Sequence, residues 1–287
     1  MIEAFNTHRS LLFGIAYRML GQVSEAEDVV QETWLRWQKQ DSAAIRSAKA
    51  WLVAAATRLC IDRIRSARHQ REQYYGVWLP EPLVPPVEAD GAAMAELADS
   101  LGMAFMLMLE TLGPDERAVF LLREVFDHDY AGISAIVGKS EAACRQIVRR
   151  AKQHLHANPP PATAPTAQAR QLVETFLAAT ASGDINQVLS LLSAESTVLS
   201  DGGGRVKAAG RPIIGADHVS RFLLGIWPRF VGQMEQRAVT VNGQPGRLMT
   251  LQGVVQYAFS FDVIAGRIQA IYIICNPDKL RHLASAR

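Results

Sequence analysis

The segment EAEDVVQETWLRW, residues 25–37, carries the pattern that decides how the first part of the chain folds. Its apolar positions recur at the spacing of one helical face. They are Ala26, Val30, Thr33 and Trp37. Ser24 precedes the segment and Glu25 and Glu27 open it, which is typical of a helix cap and first turn. We therefore predict an amphipathic helix that buries this stripe and exposes an acidic face.

A second helix is predicted over residues 49–67, where the apolar residues again follow a helical period. Its inward face comprises Val53, Ala56, Cys60 and Ile64. Its opposite face collects Trp51, Arg58, Asp62 and Arg65. Two helices with one apolar face each indicate an all-α packing unit at the start of the chain.

The composition sets limits on the class of protein. The chain has 287 residues, with 49% hydrophobic and 20% charged residues, so a mostly disordered protein is excluded. No apolar run reaches the roughly 18 residues of a membrane span, and no secretory signal opens the sequence. The three cysteines lie far apart and the histidines are dispersed, so we predict no disulfide framework, metal site or cofactor. A cytoplasmic protein is expected.

Two proline-rich stretches divide the chain into three pieces. Proline fixes φ and lacks an N–H, so residues 76–92 and 157–167 are predicted to be extended spacers. The pieces that remain are residues 1–75, 93–156 and 168–287. At this length, two or three compact domains are expected.

The middle piece is predicted to be helical and to end in a helix–turn–helix. Gly113-Pro114 marks a boundary between helices, and two short helical patterns follow, over residues 130–137 and 141–155. Gly138 can form the turn between them and Ser140 can cap the second helix.

The helix at residues 141–155 has the two faces that a DNA-recognition helix needs. Its apolar side, including Cys144 and Ile147, can pack on a scaffold, and its polar side is basic. The polar side comprises Ala142, Arg145, Gln146, Arg149 and Lys152. Arginine and glutamine can read bases in the major groove, although an ordinary solvated helix shows the same pattern.

The third piece changes to a mixed composition. Helices are predicted at about residues 169–182, 184–192 and 216–227. Strands are predicted at residues 237–241, 248–263 and 268–275, the middle one from its period-two alternation. Helices packed on a curved antiparallel sheet give an α+β domain.

These segments together resemble a known family. Residues 25–37 resemble the region 2 helix of extracytoplasmic-function (ECF) sigma factors, the promoter-specificity subunits of bacterial RNA polymerase. AKAWL from Ala48 and DRIR from Asp62 resemble the promoter-melting segment of that family. LGPDERAVF from Leu112, YAGI from Tyr130 and GKSEAA from Gly138 resemble its region 4. The order and spacing agree across about residues 4–156.

The resemblance implies two sets of contacts. The surface that docks on the clamp helices of core RNA polymerase would comprise Glu27, Asp28, Gln31 and Glu32; a solvated acidic face is the alternative. The surface near the minus-10 element would comprise Arg46, Lys49, Trp51, Arg58 and Arg65, although Trp51 also suits simple packing. The minus-35 element would be read by Ser140, Ala142, Arg145, Gln146, Arg149 and Lys152. Ile147 stands where many members carry arginine, which shifts those contacts to its neighbours.

The third piece resembles the SnoaL-like α+β cone that is appended to one ECF subgroup. The resemblance rests on WLP at residues 78–80, DGGGR at 201–205 and NPDKL at 276–280. It implies a regulatory contact between the spacer and the cone through Trp78, Leu79, Pro80, Asp201, Gly202, Gly203, Gly204, Arg205, Asn276, Pro277, Asp278, Lys279 and Leu280. The fold class is therefore predicted as two all-α segments followed by an α+β cone.

The expected function is a sigma factor that binds core RNA polymerase and promoter DNA, is regulated in cis by its cone and is not itself an enzyme. Two alternatives remain open. One is a ligand-responsive helix–turn–helix regulator that does not bind polymerase. The other is a small-molecule enzyme or sensor domain in the cone, whose titratable candidates are Asp201, His218, Tyr257, Asp262 and Tyr272.

Overall fold

The computed structural model describes residues 1–41, 45–72, 74–85, 102–157, 166–230 and 232–285. The chain forms two compact units, one of Met1–Gln73 with Phe105–Pro160 and one of Tyr74–Ala104 with Pro161–Arg287. We call them the helical unit and the sheet unit. The first spacer as far as residue 85 therefore belongs to the sheet unit, where it is neither helix nor strand. Residues 86–92 and 158–165, which were also predicted to be spacer, lie outside the described residues.

The helical unit packs consecutive amphipathic helices. They are α1 (Ile2–Leu20), α2 (Val23–Gln38), α3 (Ala48–Glu72), α4 (Met103–Glu110, entering the unit at Phe105), α5 (Pro114–Glu124), α6 (Tyr130–Val137) and α7 (Glu141–Ala157). The predicted stripe of α2 is buried, and so are the four inward residues predicted for α3. The period-3.6 pattern therefore identified both helices and their packed faces.

The helix–turn–helix is formed by α6 and α7, as predicted. Gly138 ends α6 in the left-handed conformation at φ 69°, where glycine has no Cβ to clash. Ser140 caps α7, because its Oγ accepts a hydrogen bond from the Ala143 amide at 3.2 Å. Cys144 and Ile147 are buried on the inner side of α7.

The sheet unit is an α+β domain with one curved sheet. Its elements are α8 (Thr166–Ser182), α9 (Ile185–Leu191), β1 (Leu192–Asp201), β2 (Ile213–Ile214), α10 (Ala216–Ile226), β3 (Glu235–Val241), β4 (Gln244–Leu251), β5 (Val254–Ile264) and β6 (Arg267–Ile274), with short 3-10 turns at Trp227–Arg229, Pro277–Lys279 and Arg281–Ser285. The strand order is β2-β1-β6-β5-β4-β3, in which β1 and β6 are parallel and the other pairs antiparallel.

The core of the sheet unit lies between α8, α10 and one face of the sheet. Phe176 of α8 meets Phe261 of β5 with their ring centroids 6.2 Å apart. Trp227 and Phe230, just after α10, pack against Phe259 of β5. These rings pack together with buried aliphatic residues of α8, α10 and the sheet.

Two strand predictions were wrong. The run 248–263 is two strands, because Gln252 and Gly253 both adopt positive φ, at 51° and 79°, and form a hairpin turn. The strand β1 was not predicted at all, and its first residue was assigned to a helix. Its serines, such as Ser196 and Ser200, are buried and interrupt the apolar alternation that marks a strand.

Candidate nucleic-acid interface and spacer-binding site

The acidic face of α2 points away from the packed core. Glu27, Asp28 and Gln31 are exposed and Glu32 is half-buried. Arg63 of α3 lies 3.8 Å from both the Asp28 and Glu32 carboxylates, which is too far for a hydrogen bond. Glu32 pairs with Arg36 of the same helix at 2.6 Å, whereas the exposed carboxylates of Glu27 and Asp28 remain accessible to a basic partner surface.

The cations at the start of α3 are exposed, whereas the tryptophan beside them is packed. Arg46 and Lys49 are exposed. Trp51 is half-buried, and its ring lies 5.3 Å from that of Trp37 on α2. This placement matches the packing alternative for Trp51 more closely than a free stacking platform.

Two of the cations predicted for the minus-10 surface are bonded inside the helical unit. The Arg58 guanidinium donates to the backbone oxygens of Ile136 at 3.0 Å and Ala135 at 2.8 Å, where α6 ends. Arg65 forms an ion pair with Asp115 of α5 at 2.8 Å. Carbonyls at a helix C-terminus lack partners within the helix, so a guanidinium there completes the end of α6.

Arg117 of α5 is a connecting residue that the sequence did not reveal. Its side chain is 2% exposed, and Nη1 donates to the Met19 carbonyl at 2.6 Å and to the Glu110 carboxylate at 2.8 Å. It therefore links the end of α1 to α4 and α5. Nothing in the pattern PDERAVF distinguishes this arginine from an ordinary solvated helix residue.

The polar face of α7 is exposed along its described length. Ala142, Gln146 and Arg149 are exposed, and so is the capping residue Ser140. Two further predicted residues hold surface ion pairs, Arg145 with Glu141 at 2.6 Å and Lys152 with Glu124 at 2.6 Å. Exposed pairs of this kind contribute roughly 0–1 kcal/mol, so phosphate groups can replace them.

The spacer is bound in the sheet unit by the carboxylate of Asp201 at the end of β1. Asp201 is fully buried, and its Oδ2 accepts hydrogen bonds from the Leu79 amide at 2.8 Å and the Lys279 ammonium at 2.7 Å. Its Oδ1 accepts from the Tyr74 hydroxyl at 2.5 Å and the Gly203 amide at 3.0 Å. We call these residues the spacer-binding site. Four donors compensate for burying one charged carboxylate.

Lys279 completes this site from the other side of the spacer. Its ammonium also donates to the Leu79 carbonyl and lies 4.2 Å from the centre of the Trp78 ring. Its side chain is only 6% exposed, so both the ion pair with Asp201 and the cation–π contact are shielded from water. Trp78 therefore covers a buried ion pair.

Further contacts hold the C-terminal part of the described spacer. The Leu83 amide donates to Asn242 Oδ1 at 3.0 Å, and the Asn242 amide donates back to the Leu83 carbonyl at 2.9 Å. His282 lies 2.8 Å from the Pro82 carbonyl through Nε2. Asn242, His282 and Tyr74 were not among the predicted site residues. The sequence did contain a signal for Asn242, because an Asn-Gly pair is typical of a hairpin turn.

The glycines that follow Asp201 are required because neighbouring atoms leave no room for a side chain. A Cβ on Gly202 would lie 2.2 Å from the Val206 carbonyl oxygen, and one on Gly203 would lie 2.2 Å from Asn276 Nδ2. Gly203 also has a positive φ of 59°. This tight turn therefore brings the DGGGR motif against Asn276 of the NPDKL motif. Asn276 Nδ2 also donates to the Tyr74 hydroxyl at 3.0 Å.

The remaining motif residues surround this centre. Leu79 and Leu280 are buried, and Pro80 is buried beside them. Arg205 and Asp278 form an exposed ion pair at 3.1 Å. Burial, and then the hydrogen bond to Asp201, raises the pKa of the Tyr74 hydroxyl far above its usual range, so it stays a donor.

The titratable groups considered for an enzyme do not converge on one cavity. Tyr257 lines a cavity of about 270 Å³ on the core side of the sheet. Asp262 and Tyr272 are hydrogen-bonded at 2.8 Å, but they alternate with the core residues of β5 and β6 and so lie on the opposite face. Burial raises the pKa of Asp262 to about 6. His218 is exposed on α10.

Within the described part of the chain, no helix is long and apolar enough to cross a membrane. The same residues contain no cluster of histidine, cysteine or acidic side chains arranged to hold a metal ion. All three cysteines are buried and free.

An exposed acidic helix face together with a basic helix–turn–helix is the arrangement expected of a promoter-recognition protein. The sigma-70 region 2 model matches residues 4–70 and the sigma-70 region 4 model matches residues 102–155. The chain is 37% identical to the ECF RNA polymerase sigma factor SigJ of Mycobacterium tuberculosis, over 97% of this chain and 92% of that one. It therefore belongs to the ECF sigma factors, and its partners are core RNA polymerase and promoter DNA.

A second relative and a crystal structure agree. The probable ECF sigma factor SigI of M. tuberculosis is 31% identical over 96% of this chain and 93% of that one. The crystal structure of M. tuberculosis SigJ matches with a TM-score of 0.79 and 33% identity, covering 98% of each chain. The predicted fold class, two all-α segments followed by an α+β domain, is confirmed. The alternative of a regulator that does not bind polymerase is not supported.

Proposed function

We propose that the sheet unit regulates this sigma factor in cis by holding the spacer between regions 2 and 4. The observation that carries the proposal is the buried carboxylate of Asp201, which accepts hydrogen bonds from Leu79 of the spacer and Lys279 of the cone. The spacer fixes how far apart the two promoter-binding segments can move. A domain on the same chain acts at high effective concentration, so the bound state does not depend on a second protein.

We further propose that the contacts of Arg58, Arg65 and Arg117 hold regions 2 and 4 in a closed state. Arg58 and Arg65 belong to the predicted minus-10 surface, yet both are bonded to α5 or α6. In this proposal, promoter binding exchanges these internal acceptors for DNA phosphates. The free-energy difference between the internal bonds and the phosphate contacts is small where the internal bonds are exposed. Arg65 is such a case, because its side chain is 58% exposed.

The test of cis regulation is promoter-dependent transcription with purified core polymerase. We expect Asp201→Asn to change activity several-fold, because the neutral amide loses the ion pair with Lys279 and weakens the hold on the spacer. Deletion of residues 168–287 should change activity in the same direction. The matched control is Asp262→Asn, which alters a buried carboxylate of the same sheet that is hydrogen-bonded to Tyr272. Equal activity of Asp201→Asn, the deletion variant and the unmodified protein would refute the regulatory role.

The polymerase-docking surface makes a separate prediction. Reversing charge with Glu27→Lys and Asp28→Lys together should lower affinity for core polymerase about tenfold or more, because two attractive contacts become repulsive. Titration of labelled protein against core enzyme measures this. The control exchanges two exposed carboxylates of the sheet unit, Glu195→Lys and Glu235→Lys, for the same change in net charge. A similar loss in both double variants would show that net charge, and not this surface, governs binding.

A further inference from the structure

The cavity on the core side of the sheet is lined mainly by apolar side chains. Its volume is about 270 Å³, near the lower end of the roughly 300–1,000 Å³ of small-molecule sites. Phe222 and Ile226 of α10, with Phe230 after it, form one wall. Tyr257 of β5 closes another, with its ring 4.8 Å from that of Phe230. An apolar, compact body fits these walls.

Two polar side chains of the walls already have hydrogen-bond partners, and a third is a lysine. Ser200 Oγ accepts from the Ala209 amide at 2.8 Å, and Cys275 Sγ donates to the Asp201 carbonyl at 3.2 Å. Burial raises the pKa of that thiol to about 12, so it is not a nucleophile. Lys207 lines the cavity, is exposed, and forms an ion pair with no carboxylate of the described residues.

The cavity and the spacer-binding site share the end of β1 and the residues that follow β6. Ser200 and Cys275 line the cavity, and the next residue along the chain from each, Asp201 or Asn276, belongs to the spacer-binding site. The Asp201 carbonyl accepts hydrogen bonds from the amides of Cys275 at 2.8 Å and Asn276 at 2.9 Å. Residues 207–209 of the cavity wall follow the glycine turn that holds Asn276. Adjacent residues and main-chain hydrogen bonds therefore connect this wall to the residues that bind the spacer.

We propose that this cavity binds a small apolar monocarboxylic acid, with its carboxylate on Lys207, and that binding changes the hold on the spacer. The binding site stands on the cavity alone, whereas its regulatory effect rests on the proposed cis regulation. Binding and spacer release are thermodynamically linked, so the acid changes the stability of the spacer contacts only as far as its affinity differs between the two states.

The test of the site is calorimetric titration of the full chain with 2-naphthoate and octanoate, compared with the corresponding neutral primary alcohols. We expect saturable binding of at least one acid, weakened about tenfold by Lys207→Met, with no change for its alcohol. Lys39→Met, at a lysine of the helical unit, is the control and should bind normally. Ile226→Trp should fill the cavity and abolish binding, and Phe222→Trp provides a second filling variant if the first does not fold. Absence of saturation at millimolar acid, or equal weakening of acid and alcohol in Lys207→Met, would overturn the site.

The test of the coupling is hydrogen exchange at the Leu79 amide, which donates to Asp201. A saturating acid should change its protection at least about fivefold in the unmodified protein and leave it unchanged in the cavity-filling variant. Proven binding with unchanged Leu79 protection would refute the coupling while leaving the site intact. The transcription assay with Asp201→Asn tests the cis regulation without any ligand. Failure of the cis regulation is therefore distinguishable from failure of the ligand coupling.

Discussion

Lys279→Met is expected to destabilise the sheet unit by about 3 kcal/mol. Methionine keeps most of the side-chain volume but leaves the Asp201 carboxylate charged and buried, and removing one partner of a buried pair costs roughly 3–5 kcal/mol. We expect the low end because Leu79, Tyr74 and Gly203 still donate to that carboxylate. Segment-resolved hydrogen exchange of the full chain measures the loss, and protection should fall across the spacer and β1 together.

The control for this prediction is the neighbouring exposed pair. Arg205→Met removes the partner of Asp278, but the Arg205 side chain is 65% exposed, so the change should cost less than about 1 kcal/mol. The double variant Asp201→Asn with Lys279→Met should recover part of the loss, because no unpaired charge remains. Equal effects of Lys279→Met and Arg205→Met would show that the buried pair does not stabilise the spacer-binding site.

Arg117→Met is expected to destabilise the helical unit by about 3 kcal/mol. The substitution fills the space but removes the donor to the Met19 carbonyl and the Glu110 carboxylate, and leaving buried acceptors without donors is costly. Denaturant unfolding, followed by hydrogen exchange in α1 and α5, measures the change. Protection should fall in both helices, because Arg117 links them.

The matched control lies on the same helix. Arg123 is 35% exposed, reaches Asp127 only at 3.5 Å and donates to the His128 carbonyl at 3.0 Å, where water can replace it, so Arg123→Met should cost about 1 kcal/mol. If Arg117→Met lowered protection in α5 alone, the proposed link between α1 and α5 would be wrong.

The sequence signals that predicted structure correctly are local. The stripe from Ala26 to Trp37 predicted α2 and its buried face, because helical period and burial are properties of one segment. The bonds of Arg58 and Arg117 were not predicted, because each depends on a partner far along the chain and neither residue differs in type from a solvated arginine. Long-range polar contacts of this kind leave no periodic signal.

The spacer-binding site was predicted only in part, and for the same reason. Asp201, Lys279 and Trp78 were identified through the family resemblance, whereas Tyr74 and Asn242 were not.

The hairpin at Gln252 was missed although positive φ at glycine was foreseeable, because glutamine there gives no turn signal of its own. Turn geometry and distant partners thus account for most of the differences.

The spacer is recognised largely through its main chain, and this restricts how its sequence can vary. Leu79 and Leu83 each offer both an N–H and a carbonyl to the cone, whereas the prolines at positions 80 and 82 fall where no N–H is donated. Natural variants should therefore accept many residues at 79 and 83 that preserve a modest apolar side chain. Proline at either position would be selected against, since it deletes the donor on which recognition depends.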